Sequence, residues 1–379
     1  MLNKSREVFL KSPRTFFFLN SAYYLVQLVT FFYISSLALP KDIGISSYVI
    51  SLAGIFAVIA RYGMPVYMVE GVSDESSLLD KYFIAASSFS FTVGIFLLPI
   101  SFFVILQDNF NQEFILLTLL GTSLMIFLNP ISMIIDQMMI LKKQRSFLSI
   151  NSIIKTFIFP LSAYFTYQFT NNFAATIIFA NVSILVSPII VYYFLQRKFF
   201  HFNYRLLNIE KFFTLIKEAF PYFINSLALI LILSIDKIFV GNIFSIEILG
   251  SYDLMWKCAI LIDFILMQPI NSLFARDIIN SSIKSGLSIS LSITFLTLLT
   301  VFLIYLINFD FLLPLWNLFF EKYEFNTLIF KLSVSFFILM FAVNQLRNLM
   351  ANLKLRFMCT ISSCIIPLPL IITASFFEI

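Results

Sequence analysis

Charge is what this chain has least of. Only 12% of its 379 residues are Asp, Glu, Lys or Arg, against about 25% in an average globular domain. A soluble chain could not cover itself with so few, and a hydrophobic content of 60% points the same way. Histidine is almost missing: the single copy, His201, lies in a basic stretch, so no His pair can hold a metal. The three cysteines, Cys258, Cys359 and Cys364, fall in apolar runs and make neither a disulfide framework nor a zinc spacing. No Gly-rich phosphate loop, Walker lysine or Ser-His-Asp set occurs. These absences exclude ATP hydrolysis and the common hydrolytic sites, and they leave no cofactor to expect.

What remains is a succession of apolar runs, with a mean hydropathy of +0.95. A spanning helix needs about 20 such residues. On that measure spans are predicted near 16–38, 46–68, 82–105, 114–140, 148–169, 174–195, 220–240, 249–274, 287–308, 326–350 and 357–377. Spanning strands would instead show alternating segments of about ten residues, so the fold class is an all-α, polytopic membrane bundle. The 49 phenylalanines read as lipid-facing bulk.

The net charge of +5 matters through its distribution. With the N-terminus in the cytoplasm, seventeen Lys and Arg residues fall inside, among them Lys4, Arg6, Lys142, Lys143, Arg197 and Lys198. Outside loops hold only Lys41 and Lys322, with Lys331 at a border. The bias sets the N-terminus inside and, after eleven spans, the C-terminus outside. Residues 1–195 then form a first lobe of about six helices, and 220–379 a second of about five. Between them, 196–219 is a cytoplasmic segment whose Leu206, Leu207, Phe212, Phe213 and Leu215 alternate with charges. It reads as an amphipathic helix lying either on the leaflet or on the protein.

The charges set inside spans concentrate between Phe220 and Asp277. Each ionised group there costs roughly 2.5–3.5 kcal/mol on insertion scales, so such groups face a bundle interior or a wet cavity. Asp236, Lys237, Asp253 and Lys257 lie toward the periplasmic side, with Asp263 nearest the middle; Arg61, Asp136, Lys155 and Arg347 lie toward the cytoplasmic ends. One account is a hydrated cavity whose cations (Lys155, Lys237, Lys257, Arg61, Arg347) bind an anionic substrate. The acidic groups (Asp136, Asp236, Asp253, Asp263) then serve as charge partners or coupling sites. The plainer account is internal neutralisation, since Asp253 and Lys257 stand at i,i+4. Arg61 and Arg347 are close enough to the interface to snorkel, whereas Lys155 is about seven residues into its span. Pro130, Pro160, Pro188, Pro221, Pro269, Pro367 and Pro369 permit bends but are also common in membrane helices.

The two halves repeat weakly. Pro40-Lys41-Asp42-Ile43-Gly44 precedes Ser47-Tyr48, and Ser245-Ile246-Glu247-Ile248-Leu249-Gly250 precedes Ser251-Tyr252; both read as turns, with the glycines 206 positions apart. Six helices per repeat preserve orientation, so the repeat is parallel, about an axis along the membrane normal. Ser234-Ile235-Asp236-Lys237-Ile238-Phe239-Val240-Gly241, followed by Gly250-Ser251-Tyr252, resembles the start of the second half in polysaccharide-export transporters of the MOP superfamily. The O-antigen flippase group (Wzx-type) is the nearest match, and the first-half Asp42-Ile43-Gly44 is also similar.

The resemblance implies two six-helix lobes around a central cavity, the second here short by one helix. It implies a flippase in the bacterial inner membrane that moves undecaprenyl-diphosphate-linked oligosaccharide from the cytoplasmic to the periplasmic leaflet, with no enzymatic step. The implied partners are that lipid-linked oligosaccharide, membrane lipids, a polysaccharide polymerase and a chain-length regulator, and no nucleic acid. One rival is another antiporter of the superfamily, whose cavity would favour acidic groups. A second is an O-antigen polymerase, which would carry a large arginine-bearing periplasmic loop. The longest outside loop here, 309–325, holds only Lys322. A membrane scaffold would need no buried charges.

Overall fold

A computed structural model describes residues 13–71, 76–107, 112–141, 145–196, 209–257 and 313–323. Its helices are α1 (Pro13–Leu37), α2 (Pro40–Arg61), α3 (Met64–Gly71), α4 (Ser76–Gln107), α5 (Gln112–Leu141), α6 (Arg145–Thr170), α7 (Phe173–Gln196) and α8 (Ile209–Ile243). They are followed by α9 over 246–257 and α10 (Leu313–Phe320). No strand occurs among the described residues. Among the described residues, five stretches are long and apolar enough to span a membrane: Pro40–Arg61, Ala85–Phe103, Phe114–Met139, Ser146–Thr170 and Phe173–Phe194. The spans expected at 287–308, 326–350 and 357–377, with most of 249–274, lie outside the described residues.

By contacts the chain divides into two units, 1–34 with 48–230, and 35–47 with 231–379. In the first, α6 packs along α7, α4 along α5, and α5 against α7. The α6–α7 connection is two residues long: Asn171 takes a positive φ of 52°, and Asn172 Oδ1 caps α7 by accepting from the Ala175 N–H at 3.0 Å. Met64, Tyr67, Ile134, Met138, Phe147, Leu215 and Ala219 gather α3, α5, α6 and α8 into one apolar core. Residues 209–219 are therefore the first turns of α8, with Leu215 inside and Phe213 facing out. Outward-facing Phe96, Phe103, Phe157, Phe165 and Phe194 are largely exposed, as a lipid-facing surface requires. Thr118, Ser123, Ser152 and Thr156 donate to carbonyls one turn back in their own helices, so hydroxyls can be buried without distant partners.

The second span differs from its sequence expectation, starting and stopping six or seven residues earlier than 46–68. Pro40, Lys41, Asp42 and Gly44 form its first turn rather than a loop. Proline is well suited to that first position, where its missing N–H is not needed. The other end is set by Tyr62 and Gly63, both left-handed (φ 49° and 68°), after which α3 starts. Tyr62 stacks on Phe223 at 4.6 Å with 14° between the ring planes. A Cβ on Gly63 would lie 2.3 Å from the Phe223 backbone nitrogen. Gly63→Ala is therefore expected to lower stability by about 2 kcal/mol through the left-handed backbone and the contact together. Thermal unfolding of the purified protein in detergent checks this, and an unchanged midpoint overturns it.

The second unit is built where α1 ends, α2 and α9 begin, and α10 returns. The last carbonyls of a helix have no partner within it. Here side chains supply them: Tyr323 Oη–H donates to Ser35 O at 3.0 Å, with Ala38 O at 3.4 Å, and Lys322 Nζ donates to Leu37 O at 3.1 Å. Burial, then the Asp42 carboxylate, pushes the Tyr323 phenol above its ordinary range, so it stays a neutral donor. Trp316 Nε1–H fixes the same loop by donating to Tyr323 O at 2.9 Å.

The starts of α2 and α9 divide between them the two halves of one capping arrangement. Before α2, Asp42 Oδ2 accepts from the Leu39 N–H at 3.2 Å; before α9, Ser245 Oγ accepts from the Ile248 N–H at 3.2 Å. Leu39 and Ser245, Pro40 and Ile246, and Gly44 and Gly250 are the same positions under the 206-residue offset. The contact between these helix starts is reciprocal. A Cβ on Gly44 would lie 1.8 Å from Ile246 O, and a Cβ on Gly250 would lie 1.9 Å from Pro40 O. Position 44 meets the counterpart of 40, and the counterpart of 44 meets 40. Such exchange is the signature of a local two-fold axis, and it supports the internal repeat read from the sequence.

Candidate functional site

Asp236 and Lys237 are sequence neighbours and point about 100° apart on α8, so one partner cannot serve both. In the second unit, α9 answers each of them. Tyr252 Oη–H donates to Asp236 Oδ2 at 2.5 Å, and Lys237 Nζ lies 3.6 Å from the centroid of the Trp256 ring. Asp236 and Lys237 are each only 5% exposed. Asp236 Oδ1 is buried without a hydrogen-bond partner among the described residues. One residue further along α9 in each case, Lys257 Nζ pairs with Asp253 as the i,i+4 spacing allows. That carboxylate is 1% exposed, while the Lys257 side chain retains 23%.

In the first unit, Asp136 of α5 is held from two sides by α6. Lys155 Nζ lies 3.2 Å from Oδ2, and Asn151 Nδ2–H donates to Oδ1 at 2.9 Å. Ser187 of α7 donates in turn to Asn151 Oδ1. Tyr23 and Tyr24 of α1 are in electrostatic reach of Asp136. Both members of the ion pair keep a path outward, at 17% and 19% side-chain exposure for Lys155 and Asp136. Arg61 ends α2, half-buried, with no hydrogen-bond or ion-pair partner among the described residues. Elsewhere in this unit Tyr67 donates to Glu218, tying α3 to α8. No group of three His, Cys, Asp or Glu suited to a metal occurs among the described residues.

Of the charges singled out from the sequence, Asp253 and Lys257 come together, as do Asp136 and Lys155, while Asp236 and Lys237 turn to Tyr252 and Trp256 instead. Asp263 and Arg347 lie outside the described residues. The sequence singled out Tyr252 only as part of the Gly250-Ser251-Tyr252 helix opening, and it singled out none of Asn151, Ser187 and Trp256. Asn151 was findable, because it stands four residues before Lys155 on the same helical face.

Each unit thus holds one carboxylate–lysine pair among the described residues. The sequence profile of one family, described as polysaccharide biosynthesis protein, matches residues 15–274, more than half of the chain. The chain belongs to the polysaccharide biosynthesis protein family. No curated protein matches it closely enough to count as a relative. Among solved structures, this family member is similar to an inward-facing multidrug resistance MATE family transporter of the MOP superfamily. The TM-score is 0.57 at 13% identity, covering 91% of this chain and 83% of that one. It is also similar to a MOP superfamily transporter from Pyrococcus furiosus, with a TM-score of 0.48 at 12% identity over 96% and 84% of the two chains. At 13% identity the first likeness is one of fold. The polysaccharide biosynthesis protein thus shares its helical fold with that MATE family transporter and is a multi-pass membrane protein.

Proposed function

We propose that this protein is a flippase that carries undecaprenyl-diphosphate-linked oligosaccharide from the cytoplasmic to the periplasmic leaflet of a bacterial inner membrane, without a catalytic step. A polysaccharide family on a transporter fold needs a way to hold an anionic lipid head group away from bulk water. The observation that carries the proposal is Lys155: an ammonium deep in a spanning helix, partly accessible, and held by a single side chain, Asp136, among the described residues. A carboxylate–lysine pair in a low-dielectric setting is strong, and a diphosphate with one charge on each phosphate can compete for it. Half-buried Arg61, unpartnered among the described residues, adds a cation to the same unit. The cytoplasmic N-terminus belongs to this proposal, on the loop bias. An antiporter for cationic drugs would have no evident use for either cation.

The test is a cell with the gene disrupted and complemented. Loss of the protein should leave lipid-linked glycan on the cytoplasmic leaflet, as read by its resistance to an externally added periplasm-restricted glycosidase. Lys155→Ala should do the same while remaining inserted and abundant. Normal arrival of glycan on the outer face without the protein would end the flippase reading.

A further inference from the structure

We propose that Asp136 is an internal competitor for the substrate's diphosphate: a built-in anion that occupies Lys155 when the site is empty and is displaced when the lipid head group binds. The inference rests on the flippase reading and adds to it the residue that sets how tightly the head group is held and how readily it leaves.

The geometry separates an anchored partner from a movable one. Asp136 is fixed by Asn151, which is 3% exposed and is itself held by fully buried Ser187. Those three side chains come from α5, α6 and α7, so the carboxylate cannot follow the lysine if the lysine moves. Lys155 is the mobile member, with a four-carbon stem, three N–H donors and 17% of its side chain exposed. An anion arriving from the accessible side can take the ammonium while Asp136 keeps the Asn151 bond. Return of Lys155 to Asp136 then helps to expel the anion. No bond other than a hydrogen bond changes hands, and the lysine stays protonated throughout.

If Asp136 competes, removing its charge must strengthen anion binding, the opposite of what a merely structural pair would show. Protonating it must have the same effect. Among the described residues the titratable groups facing Asp136 are Lys155 from α6 and the phenols Tyr23 and Tyr24 from α1. Tyr67 of α3, on a neighbouring helix, is engaged with Glu218. The ligand used for the test is a short polyprenyl diphosphate N-acetylglucosamine, a diester whose phosphates stay ionised across the neutral range.

Calorimetry on the purified full chain in nanodiscs measures its affinity as pH is lowered. Wild type should bind more tightly as pH falls. Asp136→Asn should bind about tenfold more tightly at neutral pH, the scale of one charge-assisted hydrogen bond, with no further pH dependence. It should also flip lipid more slowly, because release is impaired. Lys155→Met should weaken binding about tenfold or more. If Asp136→Asn fails to fold, Asp136→Ser, which also removes the competing charge, should still tighten binding about tenfold. A folded Asp136→Asn, or Asp136→Ser in its place, with unchanged or weaker affinity overturns the competitor while leaving the flippase reading standing. A wild type whose affinity ignores pH does the same. A folded wild type that does not bind the probe at all overturns both.

Discussion

Replacing Gly44 by alanine should be among the most damaging small substitutions in this chain. The added Cβ would sit 1.8 Å from Ile246 O and 2.8 Å from Ile246 C, and both atoms are backbone. A side-chain neighbour could rotate away; a backbone carbonyl can yield only if the start of α9 moves as a whole. Overpacking usually costs about 1–3 kcal/mol, and a backbone obstacle puts this case at the upper end, about 3 kcal/mol or more. Gly250→Ala should behave alike, since its Cβ would meet Pro40 O at 1.9 Å and Pro40 C at 2.7 Å. The double variant should cost less than the sum of the two, because either alanine alone already forces the helix starts apart and contacting residues are not additive. Unfolding midpoints of the three purified variants check this. Equal stability of either single variant and wild type would show that α2 and α9 are not in close contact in the folded protein.

Lys257→Met should be the most destabilising change of a charged residue. It leaves the Asp253 carboxylate 1% exposed with no ion-pair partner among the described residues. Breaking a buried pair from one side typically costs about 3–5 kcal/mol, whereas replacing both members by apolar groups is often neutral or better. Asp253→Leu combined with Lys257→Met should therefore recover most of the loss. Exchanging the two residues, Asp253→Lys with Lys257→Asp, should also fold, since the i,i+4 spacing is kept. Export then separates structure from function. Full glycan export from the exchanged protein confines the pair to internal neutralisation, and loss of export from a folded protein gives Lys257 a part in handling substrate.

Local sequence carried some of this and not the rest, for reasons visible in particular residues. The pair Asp253–Lys257 was legible because both members lie on one helix, where spacing alone decides whether they meet. The match between Gly44 and Gly250 was legible as a 206-residue offset. Its local form was misjudged: Pro40, Asp42 and Gly44 look like turn residues, and proline at the first helical position with aspartate capping behind it made them a helix start. Asp136 and Lys155 were each legible as buried charges but not as a pair, since they belong to different helices and the rotation of one helix on another is set by packing. Chain arithmetic offered a partial clue. Asp136 lies five residues before Leu141 ends α5, and Asn151 six after Arg145 starts α6, so they stand at similar distances from the facing helix ends. Nothing in the sequence marked Trp256 as the seat of Lys237, because aromatic faces are plentiful in so greasy a chain. The Ser234–Gly241 stretch did identify the family, which the profile match to residues 15–274 shows.

The corner at 35–47 has a consequence for how this protein is made. Its contacts belong with 231–379, so it is synthesised long before the chain that completes it. At about 5–20 residues per second, the corner waits on the order of ten to forty seconds for α9 and about fifteen to sixty for Tyr323, 288 residues after Ser35. Through that interval the carbonyls of Ser35, Leu37 and Ala38 lack Tyr323 and Lys322, and the bare backbone at Gly44 has no α9 against it. The nascent first half therefore emerges from the ribosome with an open helix end that only the second half can close. Premature termination anywhere before residue 246 yields a chain that carries this defect permanently, a ready mark by which membrane quality control can tell a fragment from a finished protein.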